Sequence, residues 1–388
     1  TLASLPMINS FMSRESASDP SDLPSKETTC SLRSSYAIPL ISLALNMCSL
    51  SFMQGLYLFT NIFGLYKIIY IDRIYSQKRG LALDLSKING EIWFDGQMID
   101  WQEANTHLLT HTLHYGLGVF EGVRAYKTNK GPSIFRLHDH TDRLYKSAST
   151  VNIEIPYSKD NINEAQQDVI RSNNLDEAYI RPMCFYGSEG MGLRADNLKV
   201  HTMVAAWEWP SYMEPEARDK GIKVKLSSYT RQVRNPVSNS KVNGNYVHSI
   251  VALNEALESG FDEALMLDAE GYVAEGSGEN FFIVKEGTLY SPDLDSCLDG
   301  ITRRTILDLA SELDIPFEIK KLKVEDVLEA DESFFSGTAA EVVPINSLDD
   351  KPIGSGLRGP ITEKLQSAYF DQVRGVREKN SSWHTYVK

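Results

Sequence analysis

Hydrophobic and polar residues alternate with two different periods along this chain of 388 residues. A period of two, bounded by turn residues, predicts β-strands, whereas apolar residues three and four positions apart predict one buried helix face. The segment 91–100 predicts a hairpin that turns at Asp95-Gly96. Further strands are predicted at 179–186, 199–207, 223–229, 264–267, 272–275, 280–284 and 333–336.

Three segments have the helical period, and they lie at 137–149, 246–257 and 302–313, with Gly260 as the stop signal of the second. The order of helices and strands predicts an α+β protein. A small α+β domain is expected at 88–213, followed by a linker at 214–221 that contains Pro215 and Gly221. A β-rich, barrel-like large domain is expected at 222–376, and 377–388 form a tail.

The first 87 residues differ from the rest. Residues 1–35 are rich in Ser, Thr and Pro, which predicts disorder. Residues 34–66 carry no charge and are long enough to span a membrane, although Pro39, Gln54 and Asn61 interrupt the apolar run. Three interpretations stay open for this extension: translated upstream sequence, a membrane anchor or interfacial segment, and a targeting segment.

The composition of the chain argues against several classes of function. The net charge of −13 argues against a nucleic-acid partner, which requires a basic surface. Four scattered cysteines without a CxxC motif predict neither a disulfide framework nor a zinc site, so we expect a reducing, cytoplasmic compartment. His138 and His140 have the appearance of a metal pair, but they lie in the predicted helix 137–149, and no metal is predicted. No P-loop or dinucleotide-binding glycine motif is present.

The most informative residues are Lys241, within 239–246, and Glu275, within 275–282. A lysine among small polar residues can form a Schiff base with a carbonyl cofactor, and a carboxylate on a nearby strand can keep a pyridine nitrogen protonated. Alone, each segment is more typical of a solvated loop or a turn. Gly300-Ile301-Thr302 opens the helix 302–313, and a helix N-terminus suits a phosphate. Thr302 has an equally plausible role as the helix N-cap.

Five other segments occur in the order seen in one family. They are His114–Gly116, Phe120–Tyr126, Ala178–Pro182, Gly300–Arg303 and Ser336–Glu341. Together with the Lys241 and Glu275 segments, they make the chain resemble the branched-chain aminotransferases, which are fold-type IV enzymes that use pyridoxal 5'-phosphate (PLP). The resemblance extends from about Ile92 to about Gly375.

The resemblance implies a role for each matching residue. Lys241 is the expected catalytic residue and the point of cofactor attachment, Glu275 is the partner of the pyridine nitrogen, and Tyr246 hydrogen-bonds the phenolic oxygen. Glu279, in the same motif as Glu275, is expected to be structural. The remaining expected cofactor contacts are Arg124, Ile301, Thr302 and Thr338 at the phosphate and Leu298 on the ring face.

The resemblance also implies how substrates bind. The α-carboxylate is expected at the Thr338-Ala339 turn and at the hydroxyls of Tyr115 and Tyr179, and Arg181 is expected to bind the distal carboxylate of glutamate. The apolar wall is expected to consist of Phe120, Gly122, Leu193 and Tyr212. The implied activity is transfer of the amino group of Leu, Ile or Val to 2-oxoglutarate by a homodimer or larger homo-oligomer.

Alternatives of the same fold are D-amino-acid aminotransferase and aminodeoxychorismate lyase. A different kind of alternative is a membrane-tethered, non-catalytic binding protein, motivated by residues 34–66. The presence of both Lys241 and Glu275 favours an enzyme.

Overall fold

The computed structural model describes residues 84–209, 215–231 and 235–388. The predicted disordered segment 1–35, the apolar run 34–66 and Tyr212 lie outside the described residues. None of the helices within the described residues is long and apolar enough to cross a membrane.

The predicted strands and helices occur in the predicted order, together with others that were not predicted. The strands are β1 Glu91–Phe94, β2 Gln97–Asp100, β3 Gly118–Phe120, β4 Val123–Thr128, β5 Gly131–Phe135, β6 Ala178–Tyr186, β7 Val200–Trp207, β8 Ile222–Leu226, β9 Glu263–Leu267, β10 Val273–Gly276, β11 Asn280–Lys285, β12 Thr288–Ser291, β13 Phe317–Ile319, β14 Glu332–Gly337, β15 Glu341–Leu348, β16 Lys351–Pro352 and β17 His384–Tyr386. The α-helices are α1 His111–Tyr115, α2 Leu137–Thr150, α3 Lys159–Ser172, α4 Pro215–Lys220, α5 Tyr246–Glu258, α6 Ile301–Glu312, α7 Val324–Leu328 and α8 Pro360–Val373. Short 3-10 helices cover Leu85–Lys87, Trp101–Glu103, Asn243–Asn245 and Ser381–Trp383.

The first sheet has the strand order β17-β5-β4-β6-β7-β1-β2, with β3 paired to β6. The predicted hairpin is its edge: β1 and β2 pair in register, and Asp95 and Gly96 both have positive φ, as a tight hairpin turn requires. Helices α2 and α3 cover the sheet. Leu144 and Ile162 of these helices pack in one buried cluster with Val123 and Ile180 of the sheet.

The second sheet closes on itself. Its order is β10-β9-β8-β15-β14-β11-β12-β13, and β10 also pairs with β11. Six strands therefore form a ring, which confirms the predicted barrel and the α+β class. Alternate side chains of β11 serve two clusters: Phe281 and Ile283 pack with residues of the other ring strands, whereas Phe282 and Val284 pack with α6 and α8.

The cluster around α6 and α8 also contains Tyr126 and Phe135 of the first sheet, so the two predicted domains share part of one core. The predicted boundary between them therefore stays a prediction. Within the described part of the predicted linker, residues 215–220 form helix α4. Two local expectations need correction: β8 ends at Leu226 instead of continuing to Tyr229, and the N-cap of α6 is Gly300 rather than Thr302.

Candidate active site

Lys241 precedes the 3-10 helix Asn243–Asn245 and is fixed through its own backbone. Its N–H donates to Ser147 Oγ over 3.0 Å, and its carbonyl accepts from the N–H of Phe120 over 3.2 Å. The side-chain Nζ donates to the hydroxyl of Tyr246 over 2.6 Å and lies 4.9 Å from the centre of the Phe120 ring. The amine is therefore held at a defined place, beside a hydroxyl and an aromatic face.

A cavity of about 470 Å³ surrounds this amine. Eleven residues predicted from sequence line it: Phe120, Gly122, Tyr179, Arg181, Lys241, Tyr246, Leu298, Ile301, Thr302, Thr338 and Ala339. Residues from both sheets and from α5 and α6 thus meet at one cavity, which is large enough for a small cofactor and substrate.

Glu275 lies on β10 and is buried. Its Oε1 accepts from Nε of Arg231 over 2.6 Å, and its Oε2 accepts from the N–H of Leu298 over 3.0 Å. The charge of Glu275 raises the pKa of Arg231, so the two form a stable buried ion pair. Glu275 does not itself line the cavity, but its partner Leu298 does.

The predicted phosphate side is built from two backbone segments. Gly300 caps α6 without a side-chain bond, which leaves the first N–H groups of the helix free to donate. A Cβ on Gly300 would lie 1.8 Å from Oδ1 of Asn280, so only glycine fits there. Thr338 and Ala339 form the second segment. Arg124 is buried and contacts this segment: its Nη1 lies 3.4 Å from both the Ala339 carbonyl and Glu341 Oε1.

The predicted substrate wall surrounds Arg181. Its Nη2 donates to the Tyr179 hydroxyl over 3.1 Å, and its guanidinium lies 4.8 Å from the centre of the Phe120 ring. The Nε of Arg181 is buried and has no partner among the described residues. Gly122 makes room for this arrangement, because a Cβ there would lie 2.0 Å from the Tyr179 hydroxyl.

Tyr115 and Leu193 do not line the cavity. Tyr115 is 41% exposed and accepts a hydrogen bond at its hydroxyl from Gly192 N over 3.1 Å, and Leu193 is 88% exposed. Both stay predicted substrate contacts, but they lie on the surface of the chain.

The site also contains residues that were not predicted from the sequence. Trp209, Arg143 and Asn243 line the cavity, and Arg231 pairs with Glu275. Arg231 follows the predicted strand 223–229 by two residues, and nothing in its spacing indicates a partner 44 residues away. Arg143 lies in the predicted helix 137–149, where a charged residue is usually solvated.

Glu279 lines the cavity and, with Glu263, is buried without a salt bridge among the described residues. Glu279 accepts from the N–H of Gly278, and Glu263 accepts from the N–H groups of Ala264 and Ser277. Burial, reinforced by the charge of Glu263, raises the pKa of Glu279 well above its usual value, and burial raises the pKa of Glu263 to about 7. The pair therefore holds a proton at neutral pH.

The residues present fit PLP. The amine of Lys241 can bond to an aldehyde, Glu275 offers a carboxylate to a ring nitrogen, and the free N–H groups of α6 suit a phosphate. A buried hydroxyl, Ser336 Oγ, has no partner in the described structure and lies on a cavity-lining residue. His138 and His140 contribute elsewhere: their Nδ1 atoms lie 3.1 Å from Asn163 and 2.8 Å from Glu121.

Comparisons with known proteins agree with this site. The family model "Amino-transferase class IV" matches residues 118–348. The branched-chain-amino-acid aminotransferase of Pseudomonas aeruginosa is 57% identical over 307 residues, which cover 79% of this chain and all of that protein. The Escherichia coli enzyme structure has a TM-score of 0.76 at 41% identity and covers 78% of this chain and 100% of its own.

A third relative is informative about the cofactor. The branched-chain amino acid aminotransferase of Thermobaculum terrenum, solved in its PLP-form, has a TM-score of 0.72 at 32% identity and covers 77% of this chain and 99% of its own. The fold and the site thus define a class IV aminotransferase. Within that class the chain belongs to the branched-chain-amino-acid aminotransferases, so the predicted family and activity are confirmed.

Proposed function

We propose that the protein transfers the amino group of Leu, Ile or Val to 2-oxoglutarate in the cavity around Lys241, with PLP as cofactor. The observation that carries this proposal is the position of the Lys241 amine, 2.6 Å from the Tyr246 hydroxyl, in a cavity bounded by the N-terminus of α6. When bound, PLP supplies an aldehyde that accepts an amine and a ring that stabilises negative charge on the substrate carbon.

The protein's own groups bind, orient and move protons. Lys241, as a free amine, would take the proton from the substrate carbon and return it on the cofactor side. Glu275, held by Arg231 and the Leu298 N–H, would keep a proton on the ring nitrogen. The first N–H groups of α6, with Thr302 and Thr338, would hold the phosphate, and Arg124, which does not line the cavity, supports the Thr338-Ala339 turn through the Ala339 carbonyl.

One site must bind two kinds of side chain in turn. The wall of Phe120, Gly122 and Tyr179 accepts a branched apolar side chain, and a wall of this kind separates substrates that differ by one methylene by only ~1–3 kcal/mol. Leu, Ile and Val are therefore all substrates. Arg181, whose buried Nε lacks a partner in the described structure, binds the distal carboxylate of glutamate or 2-oxoglutarate. Alternate use of one site gives two half-reactions and ping-pong kinetics.

We propose in addition that the enzyme is a homodimer. Leu108, Leu113, Met191 and Leu193 are all at least half exposed and, with Tyr115, put apolar surface next to water. Such apolar surface is typical of a subunit interface. A second subunit covering it would bring Tyr115 and Leu193, which do not line their own cavity, to the cavity of the partner. We place the enzyme in the cytoplasm, where its free thiols Cys184 and Cys297 stay reduced.

The activity is tested by a screen of L- and D-amino acids with 2-oxoglutarate, in which glutamate formation is measured. We expect turnover of L-Leu, L-Ile and L-Val and none of D-amino acids. Turnover of D-alanine or release of pyruvate from aminodeoxychorismate would instead support one of the two same-fold alternatives.

A further inference from the structure

The hairpin turn that joins β14 to β15 carries the proposed carboxylate-binding residues Thr338 and Ala339. Gly337 and Glu341 are the last paired residues of the two strands, so a short turn lies between them. Glu341 has a φ of 63°, in the left-handed region that favours glycine. This glutamate is nonetheless buried, with 3% of its surface exposed. An unfavourable backbone conformation at a buried glutamate indicates that its carboxylate has a task at the turn.

The carboxylate of Glu341 lies between two arginines. Its Oε1 is 3.4 Å from Nη1 of Arg124, and the same nitrogen donates to the Ala339 carbonyl over 3.4 Å. Its Oε2 accepts from Nη2 of Arg218 over 3.2 Å. Arg124 belongs to β4 of the first sheet, and Arg218 belongs to helix α4. One carboxylate therefore joins the turn to two elements that are distant in the sequence.

Contacts with α8 and β15 give Arg218 a defined position. Its backbone carbonyl accepts from Nε2 of Gln366 over 3.2 Å and from Nη1 of Arg358 over 3.4 Å. The same nitrogen of Gln366 donates to the carbonyl of Val342, the second residue of β15, over 2.8 Å. The guanidinium of Arg218 lies 4.9 Å from the centre of the Phe370 ring. The backbone and the guanidinium of Arg218 are therefore both fixed relative to β15.

The two arginines differ in how far they are exposed to water. The side chain of Arg124 is 8% exposed, whereas that of Arg218 is 32% exposed. Burial lowers the pKa of Arg124, but Tyr126, Glu341 and other nearby groups outweigh burial and raise that pKa. Loss of Arg218 would thus leave the buried pair of Arg124 and Glu341 intact, so the fold should tolerate it.

We propose that Glu341 is a positioning residue: through Arg218 it fixes the Thr338-Ala339 turn to helix α4, in the orientation that binds the substrate α-carboxylate. The inference rests on the proposed function and adds to it a group that does not touch the substrate. Backbone N–H groups of a turn point at a carboxylate only while the turn keeps its orientation. Leucine and glutamate carry the same α-carboxylate, so this contact serves both half-reactions equally, whereas Arg181 distinguishes them.

The first test removes only the contact with α4. Full-length holoenzyme is titrated with 4-methylvalerate, a leucine analogue without the amino group, and binding is followed by the absorbance of the cofactor. R218M should bind this carboxylate at least about threefold more weakly than wild type. Its KM for leucine and for 2-oxoglutarate should rise by the same factor, while kcat stays within about twofold. R377M is the matched control, because Arg377 is 25% exposed and pairs with Glu312 over 2.8 Å, and its affinity should be unchanged.

The second test uses two glutamates with a left-handed backbone. Glu286, in the turn between β11 and β12, has a φ of 50° and is exposed. Glycine suits this backbone at both positions, so E341G and E286G relieve the same kind of strain. E341G should bind 4-methylvalerate at least about tenfold more weakly than wild type, which equals about 1.4 kcal/mol, and E286G should bind it equally well. E341Q, which keeps an acceptor but not the charge, should fall between wild type and E341G.

The outcomes separate this inference from the proposed function. An R218M holoenzyme that binds 4-methylvalerate as tightly as wild type would overturn the inference, and this variant decides the question even if E341G does not fold. Equal losses in R218M and its control R377M, or unequal losses for leucine and 2-oxoglutarate, would also overturn it. A wild-type protein that binds PLP but transaminates neither substrate would contradict the proposed function itself.

Discussion

Nε of Arg231 donates to Oε1 of Glu275 over 2.6 Å, and this ion pair joins the loop after β8 to the strand that closes the barrel. The contact fixes the carboxylate that the proposed mechanism places at the ring nitrogen. Glu275→Gln should therefore still bind PLP but lose activity by roughly 100-fold or more, because a neutral amide cannot hold the ring proton. Cofactor content and the transamination rate are measured on the same preparation. Wild-type rates would show that Glu275 acts elsewhere.

Lys241→Ala should abolish transamination and the visible absorbance of lysine-bound cofactor. Binding through the phosphate should persist, because the α6 turn and Thr338 do not depend on the lysine. The measurement is an absorbance spectrum combined with a turnover assay, and added methylamine offers a control for the lost amine. Normal turnover in this variant would remove Lys241 from the mechanism.

Arg181→Ala should affect the two half-reactions unequally. Only glutamate and 2-oxoglutarate present a distal carboxylate, so their half-reaction should slow by at least about tenfold more than that of leucine. Single-turnover rates of the two half-reactions in one variant provide their own control for folding. Equal losses would indicate that Arg181 supports the wall through Tyr179 and Phe120 only.

Glu263→Gln tests the proton held by the two buried glutamates. The pKa of Glu263 rises from 4.5 to about 7 on folding, so the folded state binds more protons between these values and loses stability as pH rises through this window. The Gln variant does not show this loss of stability, because its amide does not titrate. Its stability relative to wild type should therefore increase between pH 5 and pH 8. Urea unfolding at both values measures it, and Glu318→Gln, at an exposed site, should show no such trend.

Leu113→Glu tests the proposed dimer. A charge at this position, which is 64% exposed, should disrupt a subunit interface but cost little in an isolated subunit. Sedimentation should show monomers, and leucine turnover should fall because the partner's surface no longer completes the cavity. Leu357→Glu, at a site that is 59% exposed, is the matched control and should change neither property. A Leu113→Glu protein that remains dimeric and active would argue for a different interface.

Local patterns predicted the fold class, several strands of both sheets and three of the helices, but they missed helices α3 and α8 and predicted only part of the site. The period of hydrophobic residues indicated α2, α5 and α6 to within a few residues, because each buries one continuous face. The two ends of the Lys241–Tyr246 contact are five residues apart, so sequence places them together. The roles of Arg231 and Arg143 were not predicted, because sheet closure and helix packing bring their partners near and local sequence spacing does not indicate such contacts.

The prediction of Thr302 as N-cap and the predicted length of β8 were wrong for the same reason, namely contacts with residues that are distant in the sequence. An N-cap hydroxyl is favoured by the backbone alone, but Gly300 occupies that place because Asn280 leaves no room for a side chain. The Ser227 N–H still donates to the Leu265 carbonyl of β9, but the Ser227 hydroxyl and the Ser228 N–H donate to Glu255, and β8 therefore ends earlier than its composition indicates.

The barrel has a consequence for the way the protein acquires its cofactor during synthesis. Strand β8 pairs in parallel with β15, and Ile222 lies opposite Ile345. The ring therefore cannot close before Ile345 has been synthesised. Contacts that join such distant parts of a chain form slowly, and the entropy of closing the loop is lost before the contact is gained. When Lys241 of a nascent chain has emerged from the ribosome, Thr338 has still to be added and the ring is still open. The enzyme should therefore capture its cofactor only near the end of translation, as one late event.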